Sequence, residues 1–223
     1  MHTWAPMEIS REAVELIIAW EIAGGDYSAA RSVYDRRYTH PHWPGNAASG
    51  LTIGVGYDLR HQTEHYERDW KSRLSAIQKP KDAYDRLRGY LGKSGTNAAV
   101  EKTSDIAIPW ADALAVYRID VLPRFITSTE NTFPGVEGMH PHVRGALTSL
   151  VYNCGPGTKG DDKILKKQAF DAIRVAVADK NVRGVADGIL AMKLYHEPNT
   201  RVREGLYRRR EAEAALALQG EVR

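Results

Sequence analysis

Glu21 combines an acidic side chain with an apolar setting. It follows Val14, Ile17 and Ile18 at the i, i+3, i+4, i+7 spacing of one helix face, and Gly24-Gly25 then ends the predicted helix. A carboxyl on this face is expected at a core or a cleft wall, near the negative end of the helix dipole. Both surroundings favour the protonated form of a carboxyl, which can donate a proton to a leaving oxygen. The alternative is a structural ion pair with an arginine.

The run from Gly50 to Leu59 alternates between two kinds of residue. One face carries Leu51, Ile53, Val55 and Tyr57, and the other carries Thr52, Gly54, Gly56 and Asp58. In a straight strand Thr52 and Asp58 would lie roughly 20 Å apart, at about 3.3 Å per residue. The glycines favour a reversal around residues 54 to 56, a tight hairpin that brings these two side chains face to face. An ordinary glycine hairpin with an exposed aspartate is the alternative.

A protonated acid, a carboxylate and a hydroxyl beside it are the side chains that an inverting glycosidase would use. Such an enzyme needs an acid, a carboxylate base about 6.5 to 9.5 Å away, and room for one water between them. Glu21 would be the acid and Asp58 the base, and the Thr52 hydroxyl would hold the water. Asp35 is a second candidate for the base, but its neighbours Arg36-Arg37 favour a solvated, ion-paired aspartate. We therefore expect Asp58 to supply the second carboxylate.

The elements that must position these residues are mainly helical. Residues 26–61 are rich in Gly, Pro, His and aromatics, which indicates a small β region with a long loop from Tyr38 to Gly50. Apolar periodicity then predicts helices at Thr63–Gln78, Asp82–Leu91, Trp110–Val121, His142–Tyr152, Phe170–Ala178, Val182–Met192 and Glu204–Leu218, with a polar loop at Gly92–Asp105. We predict an α+β, mostly helical fold over 1–223. It forms one domain, with a small lobe at about 1–75 that carries the β-hairpin and a larger helical lobe at about 76–223.

Several stretches resemble one superfamily, in the same order along the chain. Glu21, a glycine-bearing loop and a Thr-Ile-Gly-Val-Gly run resemble the phage-type lysozymes, and an Asp six residues after the Thr is closer to the pesticin-like muramidases. Ile108–Val121, Leu147–Gly155 and Gly205–Leu216 resemble further helices of that family. The resemblance implies a two-lobed lysozyme-like fold. It also implies hydrolysis of the β-1,4 bond between N-acetylmuramic acid and N-acetylglucosamine in bacterial peptidoglycan, without a metal, a cofactor or a covalent intermediate.

The resemblance also suggests residues that contact the substrate. Tyr57 and Asn153 would line the cleft, and Arg209 would contact the glycan or orient Glu21. The alternatives are a buried tyrosine, a helix-capping asparagine and an exposed basic face over Arg208–Arg210. The phage-type lysozymes place their second carboxylate before the Thr, an order that favours Asp35 over Asp58.

Composition and charge exclude several other classes. The chain has 223 residues, 43% of them hydrophobic and 26% charged, as in ordinary globular proteins. A net charge of +3 is too small to predict nucleic-acid binding. No apolar run approaches the roughly 18 residues of a membrane span, and the N-terminus lacks a signal pattern. The single cysteine, Cys154, excludes an internal disulfide, and it has no histidine at the spacing of a cysteine peptidase.

Histidines occur in pairs, but no pair has the neighbours of a metal site. His40 and His42, like His140 and His142, form His-Pro-His runs, and His61 and His65 are four residues apart. No catalytic glutamate arrangement follows His65, and the single cysteine offers no thiolate set. We expect a monomer that is made in the cytoplasm and acts on the cell wall. It would act as a phage endolysin or as an antibacterial toxin with an immunity protein or a secretion apparatus. A non-catalytic lysozyme-like module that binds peptidoglycan is the alternative.

Overall fold

The computed structural model describes residues 8–77, 80–157, 164–195 and 201–221, and this part of the chain is mostly helical. The predicted α+β, mostly helical class is confirmed, with one small two-stranded antiparallel sheet among the described residues. The helices are α1 (Arg11–Ile22), α2 (Tyr27–Arg37), α3 (Tyr66–Ser75), α4 (Ala83–Arg88), α5 (Asn97–Thr103), α6 (Trp110–Val116), α7 (Leu122–Thr132), α8 (Pro141–Cys154), α9 (Ile164–Ala178), α10 (Val182–Ala191) and α11 (Arg201–Leu218). The strands are β1 (Thr52–Ile53) and β2 (Tyr57–Asp58).

The chain folds into two compact units. One comprises Met1–Trp20 with Pro123–Arg223, and the other comprises Glu21–Leu122. The boundary that the sequence suggested, near residue 75, lies inside the second of these units. None of the helices among the described residues is long and apolar enough to cross a membrane.

The unit Glu21–Leu122 contains the hairpin and helices α2 to α6. Tyr34 of α2 is fully buried; its hydroxyl donates to the Ile108 carbonyl at 3.0 Å, and its ring lies 5.1 Å from that of Trp110. Trp70 of α3 is buried as well and lies edge-on to Tyr57 at 5.6 Å between ring centres. Large aromatic rings therefore join the helices of this unit to one another and to the hairpin.

The other unit is built around α8, whose middle turns are almost wholly buried. Close packing leaves no room for a side chain at Gly145, where a Cβ would lie 2.0 Å from the Cβ of Ala13. Ser10 begins α1, because its hydroxyl accepts the Ala13 amide at 3.2 Å. The same hydroxyl lies 2.8 Å from Nδ1 of His142, near the start of α8. One serine hydroxyl thus makes contacts in the first turns of both α1 and α8.

Two predicted irregular segments are helical. The expectation of a β region and loop throughout 26–61 is wrong for α2, and the polar loop expected at Gly92–Asp105 is wrong for α5. Each helix begins at a side-chain cap: Asp26 accepts the amides of residues 28 and 29, and Thr96 accepts that of residue 99. Both helices bury only two residues within their span, so their apolar periodicity is too weak to indicate a helix.

The helix predicted for Trp110–Val121 continues further than expected. After α6 the backbone forms a π-helical turn at Tyr117–Val121, in which the Leu122 amide donates to the Tyr117 carbonyl, and α7 then runs on to Thr132. Pro123 follows this turn and has no amide hydrogen to donate. A local π-turn accommodates such a missing donor without ending the helix.

Candidate active site

Glu21 lies in the last turn of α1, as the sequence predicts. Its side chain is half-buried, and it follows the fully buried Ile17 and Ile18 on the same helix. The helix ends one residue later because Gly24 and Gly25 adopt positive φ angles of 61° and 104°, which favour glycine. No basic residue occupies the last turn of α1. Glu21 and the hairpin belong to the same compact unit.

The hairpin has the reversal that its glycines predict. Gly54 and Gly56 have φ angles of 57° and 65° at the turn, and β1 pairs with β2 so that Thr52 lies opposite Asp58. The Leu59 amide donates to the Leu51 carbonyl at 3.0 Å, so the flanking residues form a hydrogen-bonded pair. Thr52 and Asp58 are then the non-hydrogen-bonded pair, the kind whose Cα atoms approach to about 4.5 Å and whose side chains lie closest. The Thr52 and Asp58 side chains therefore project from the same face of the hairpin.

The Asp58 carboxylate is held by backbone amides. Its Oδ1 accepts the amide of Gly50 at 2.9 Å and that of Arg60 at 2.9 Å, and its Oδ2 also lies 3.1 Å from the Gly50 nitrogen. Nε2 of His61 lies 4.0 Å from Oδ2. The side chain is 20% exposed, so it remains accessible to water. These contacts fix the orientation of the carboxylate and leave Oδ2 with accepting capacity.

Glycine is required at two points around this carboxylate. A Cβ at Gly50 would lie 2.7 Å from Oδ1 of Asp58 and 2.6 Å from the Cβ of Arg60. A Cβ at Gly54 would lie 3.0 Å from the ring of Trp70, at a positive φ angle. The first glycine lets the loop approach the carboxylate, and the second lets the turn lie against α3.

Tyr57, a predicted substrate contact, lies inside the protein. Its side chain is 2% exposed, its ring packs edge-on against Trp70, and its hydroxyl donates to Oδ2 of Asp69 at 3.0 Å. Arg68 in turn contacts the Asp69 carboxylate at 3.0 Å. Tyr57 is therefore a buried tyrosine, the alternative to a residue that lines the cleft, and it anchors the hairpin to α3.

Asn153 and Arg209, the other predicted substrate contacts, lie in the unit built around α8. Asn153 is exposed in the last turn of α8, and its Oδ1 accepts from Nη2 of Arg210 at 3.1 Å. Arg209 is 4% exposed; its Nε lies 3.2 Å from Oε1 of Glu213, and its Nη2 lies 3.3 Å from the Ser149 carbonyl oxygen. Of Arg208, Arg209 and Arg210, only Arg208 is exposed.

Glu213 links these arginines into a buried charged cluster. Its Oε1 accepts the Ser149 hydroxyl at 2.6 Å and Nη2 of Arg210 at 2.9 Å, and its Oε2 lies 2.9 Å from Nε of Arg210. Both Glu213 and Arg210 are fully buried. Glu213 follows Arg209 by four residues and Arg210 by three, the spacing of helical ion pairs, so the sequence contained a signal for this cluster. Nη1 of Arg210 also lies 3.0 Å from the Cys154 sulfur, which places the only cysteine beside a cation.

Asp35, the other candidate for the second carboxylate, lies exposed on α2. Its carboxylate is 3.6 Å from Nε of Arg31, one turn earlier, and its side chain is 52% exposed. This is a solvated ion pair of the kind that the sequence predicts, although the partner is Arg31 rather than an adjacent arginine.

Most described histidines make hydrogen bonds that stabilise loops or helix starts. His40 contacts the Ile106 carbonyl at 3.0 Å, His61 contacts the Ala48 carbonyl at 2.9 Å, and Nδ1 of His140 accepts the His142 amide at 3.2 Å. Among the described residues, no three His, Cys, Asp or Glu side chains are grouped so that they could hold a metal ion. A cavity of about 650 Å³ in the unit around α8 is lined partly by His140, Lys180 and Glu221, and none of the predicted site residues lines it.

The site thus consists of a paired hydroxyl and carboxylate on a glycine hairpin, with a half-buried glutamate in the same unit. Comparison of the chain with protein-family models, with curated proteins and with solved structures finds no match to any of them.

Proposed function

We propose that the protein is a muramidase that hydrolyses the β-1,4 bond between N-acetylmuramic acid and N-acetylglucosamine in peptidoglycan. The observation that carries this proposal is the cross-strand pair of Thr52 and Asp58. A carboxylate beside a hydroxyl can bind one water and accept its proton, which is the task of the base in an inverting glycosidase. Glu21, half-buried at the end of an apolar helix face, supplies the acid.

The proposed reaction proceeds in one step. Glu21 donates its proton to the glycosidic oxygen while Asp58 takes a proton from the water that Thr52 holds. The water oxygen bonds to the anomeric carbon from the face opposite the leaving group, and the carbon–oxygen bond to the leaving sugar breaks. Glu21 ends as a carboxylate and Asp58 as a carboxylic acid, and exchange of protons with solvent restores both. No metal or cofactor is needed.

Product analysis tests the reaction. Purified full-length protein is incubated with peptidoglycan sacculi, and the soluble fragments are reduced with borohydride and identified by mass spectrometry. A muramidase releases fragments with a reducing N-acetylmuramic acid end, and inversion produces the α-anomer first, which early proton NMR spectra detect. Free amino termini, or a reducing N-acetylglucosamine, would contradict the proposal.

A second candidate function is a module that binds peptidoglycan without cutting it. The observation in its favour is that Asp58 already accepts two backbone amides, as a purely structural carboxylate would. The module would retain sacculi in a pull-down assay but leave no cleared zone in a gel that contains cell walls. In either case the biological setting is that of a phage endolysin or of an antibacterial toxin. Genes for a holin beside it would indicate the former, and an immunity gene the latter.

A further inference from the structure

The paired hydroxyl and carboxylate belong to a row of three side chains. Besides facing Asp58, Thr52 forms an antiparallel bridge with His42: the Thr52 amide donates to the His42 carbonyl at 2.7 Å, and the His42 amide donates to the Thr52 carbonyl at 3.0 Å. Residues that lie directly opposite each other in antiparallel pairs project their side chains from the same face. The imidazole, the hydroxyl and the carboxylate therefore share one face, with Thr52 in the middle.

The His42 ring is in an unusual setting for a histidine. Its Nδ1 is shielded from solvent and has no hydrogen-bond partner among the described residues. The ring packs against Tyr38 with 4.7 Å between ring centres. Burial lowers the pKa of His42. The His40 backbone lies near the ring and raises this pKa by less, and it makes no well-formed hydrogen bond with Nδ1. The ring is therefore neutral at pH 7.

A buried nitrogen without a hydrogen-bond partner destabilises the folded protein. Buried polar atoms of this kind are commonly satisfied by an ordered water that bridges to a second polar group. The Thr52 hydroxyl is the neighbouring polar group in the row. A neutral imidazole nitrogen and a hydroxyl are both able to bind the same water.

We propose that His42 is a positioning residue: its Nδ1 holds the Thr52 hydroxyl through one bridging water and so sets the direction in which that hydroxyl presents the attacking water to Asp58. The catalytic consequence rests on the proposed muramidase function, whereas the contact between His42 and Thr52 does not. Two experiments separate these parts.

The first experiment measures turnover of the full-length protein. His42→Phe keeps an aromatic ring against Tyr38 but removes both nitrogens, and we expect kcat to fall about 10- to 100-fold with KM nearly unchanged. His42→Asn places an amide atom where Nδ1 stood and should recover part of kcat. Tyr38→Phe, which keeps the ring contact, is the control. A His42→Phe variant with kcat within twofold of wild type, or a His42→Asn variant as impaired as His42→Phe, would overturn the proposal.

The second experiment needs no activity. Nitrogen-15 NMR spectra of the histidine rings are recorded for the wild type and for Thr52→Val, which preserves shape but removes the hydroxyl. We expect the chemical shift of the His42 Nδ1 to change. That of His40, whose Nδ1 is hydrogen-bonded to the Ile106 carbonyl, should stay the same. An unchanged His42 signal would overturn the contact whether or not the protein cuts peptidoglycan. If the signal moves but the wild type releases no glycan fragments, the contact stands and the muramidase proposal fails.

Discussion

Replacing Asp58 in two ways separates its structural role from its catalytic one. Asp58→Ala removes the acceptor of two amides, those of Gly50 and Arg60. Hydrogen bonds to a charged group contribute about 1.5 to 3 kcal/mol each. Because the side chain is 20% exposed and water can replace part of the loss, we expect the free energy of unfolding to fall by about 2 to 4 kcal/mol. Asp58→Asn retains an oxygen at the Oδ1 position and should cost only about 1 kcal/mol, the difference between a charged and a neutral acceptor.

The two variants should be equally inactive despite their different stabilities. An amide cannot take a proton from water, so we expect release of soluble peptidoglycan fragments by Asp58→Asn to fall at least about 100-fold. Stability is measured by urea denaturation, and activity by fragment release at a temperature where each variant is folded. Asp35→Asn is the matched control, because Asp35 is an exposed, ion-paired aspartate in the same unit. It should stay within a few-fold of wild-type activity.

A purely structural Asp58 gives the opposite result. In that case activity would follow stability, and Asp58→Asn would remain nearly as active as the wild type while Asp58→Ala lost function. If the Asp35→Asn variant is inactive and Asp58→Asn is active, with both folded, the base lies on α2 and our interpretation of the hairpin is refuted.

Four further predictions address other residues. Glu21→Gln should lower turnover at least about 100-fold while preserving the fold, and Glu15→Gln on the same helix should not; near-wild-type clearing of cell walls by the former would remove Glu21 from the mechanism. Glu213→Gln leaves Arg210 without its buried carboxylate and should lower the free energy of unfolding by about 3 to 5 kcal/mol; a change below 1 kcal/mol in urea denaturation would show that the ion pair contributes little. EDTA should leave fragment release intact, and a loss restored by zinc would contradict this. The free energy of unfolding should decline as the pH falls below about 6.5, because the His42 imidazole takes up a proton in the unfolded chain that burial disfavours in the folded protein. His42→Phe should weaken this decline between pH 7 and 5.

The parts of the site that depend on local sequence were predictable. The i, i+3, i+4 spacing placed Glu21 at the end of α1, and Gly24-Gly25 ended that helix where expected. Alternation with two glycines predicted both the reversal and the pairing of Thr52 with Asp58. In each case the information lies within about ten residues: apolar periodicity sets the element, and the glycines, which readily adopt positive φ angles, set where it ends or turns.

Contacts between distant segments were not predictable. The backbone bridge between His42 and Thr52 and the hydrogen bond from the Gly50 amide to Asp58 depend on how the loop from Tyr38 to Gly50 folds back onto the hairpin. No periodicity marks such a return, and a histidine in a loop has many possible partners. The burial of Tyr57 against Trp70 could be given only as one of two alternatives, since a tyrosine on the apolar face of a hairpin suits a core as well as a cleft.

The loop before the hairpin also explains why the hairpin is ordered at all. Two strands of two residues each are marginal in isolation. Here the loop supplies a third segment at His42, whose backbone satisfies both polar groups of Thr52, and it supplies the Gly50 amide that binds the Asp58 carboxylate. The carboxylate and the hydroxyl that we assign to catalysis are thus oriented by the same segment. Changes that displace His42 or Gly50 in this loop should therefore affect turnover through the position of the hairpin, because a shift of about 1 Å at a reacting group can cost about 100-fold in rate.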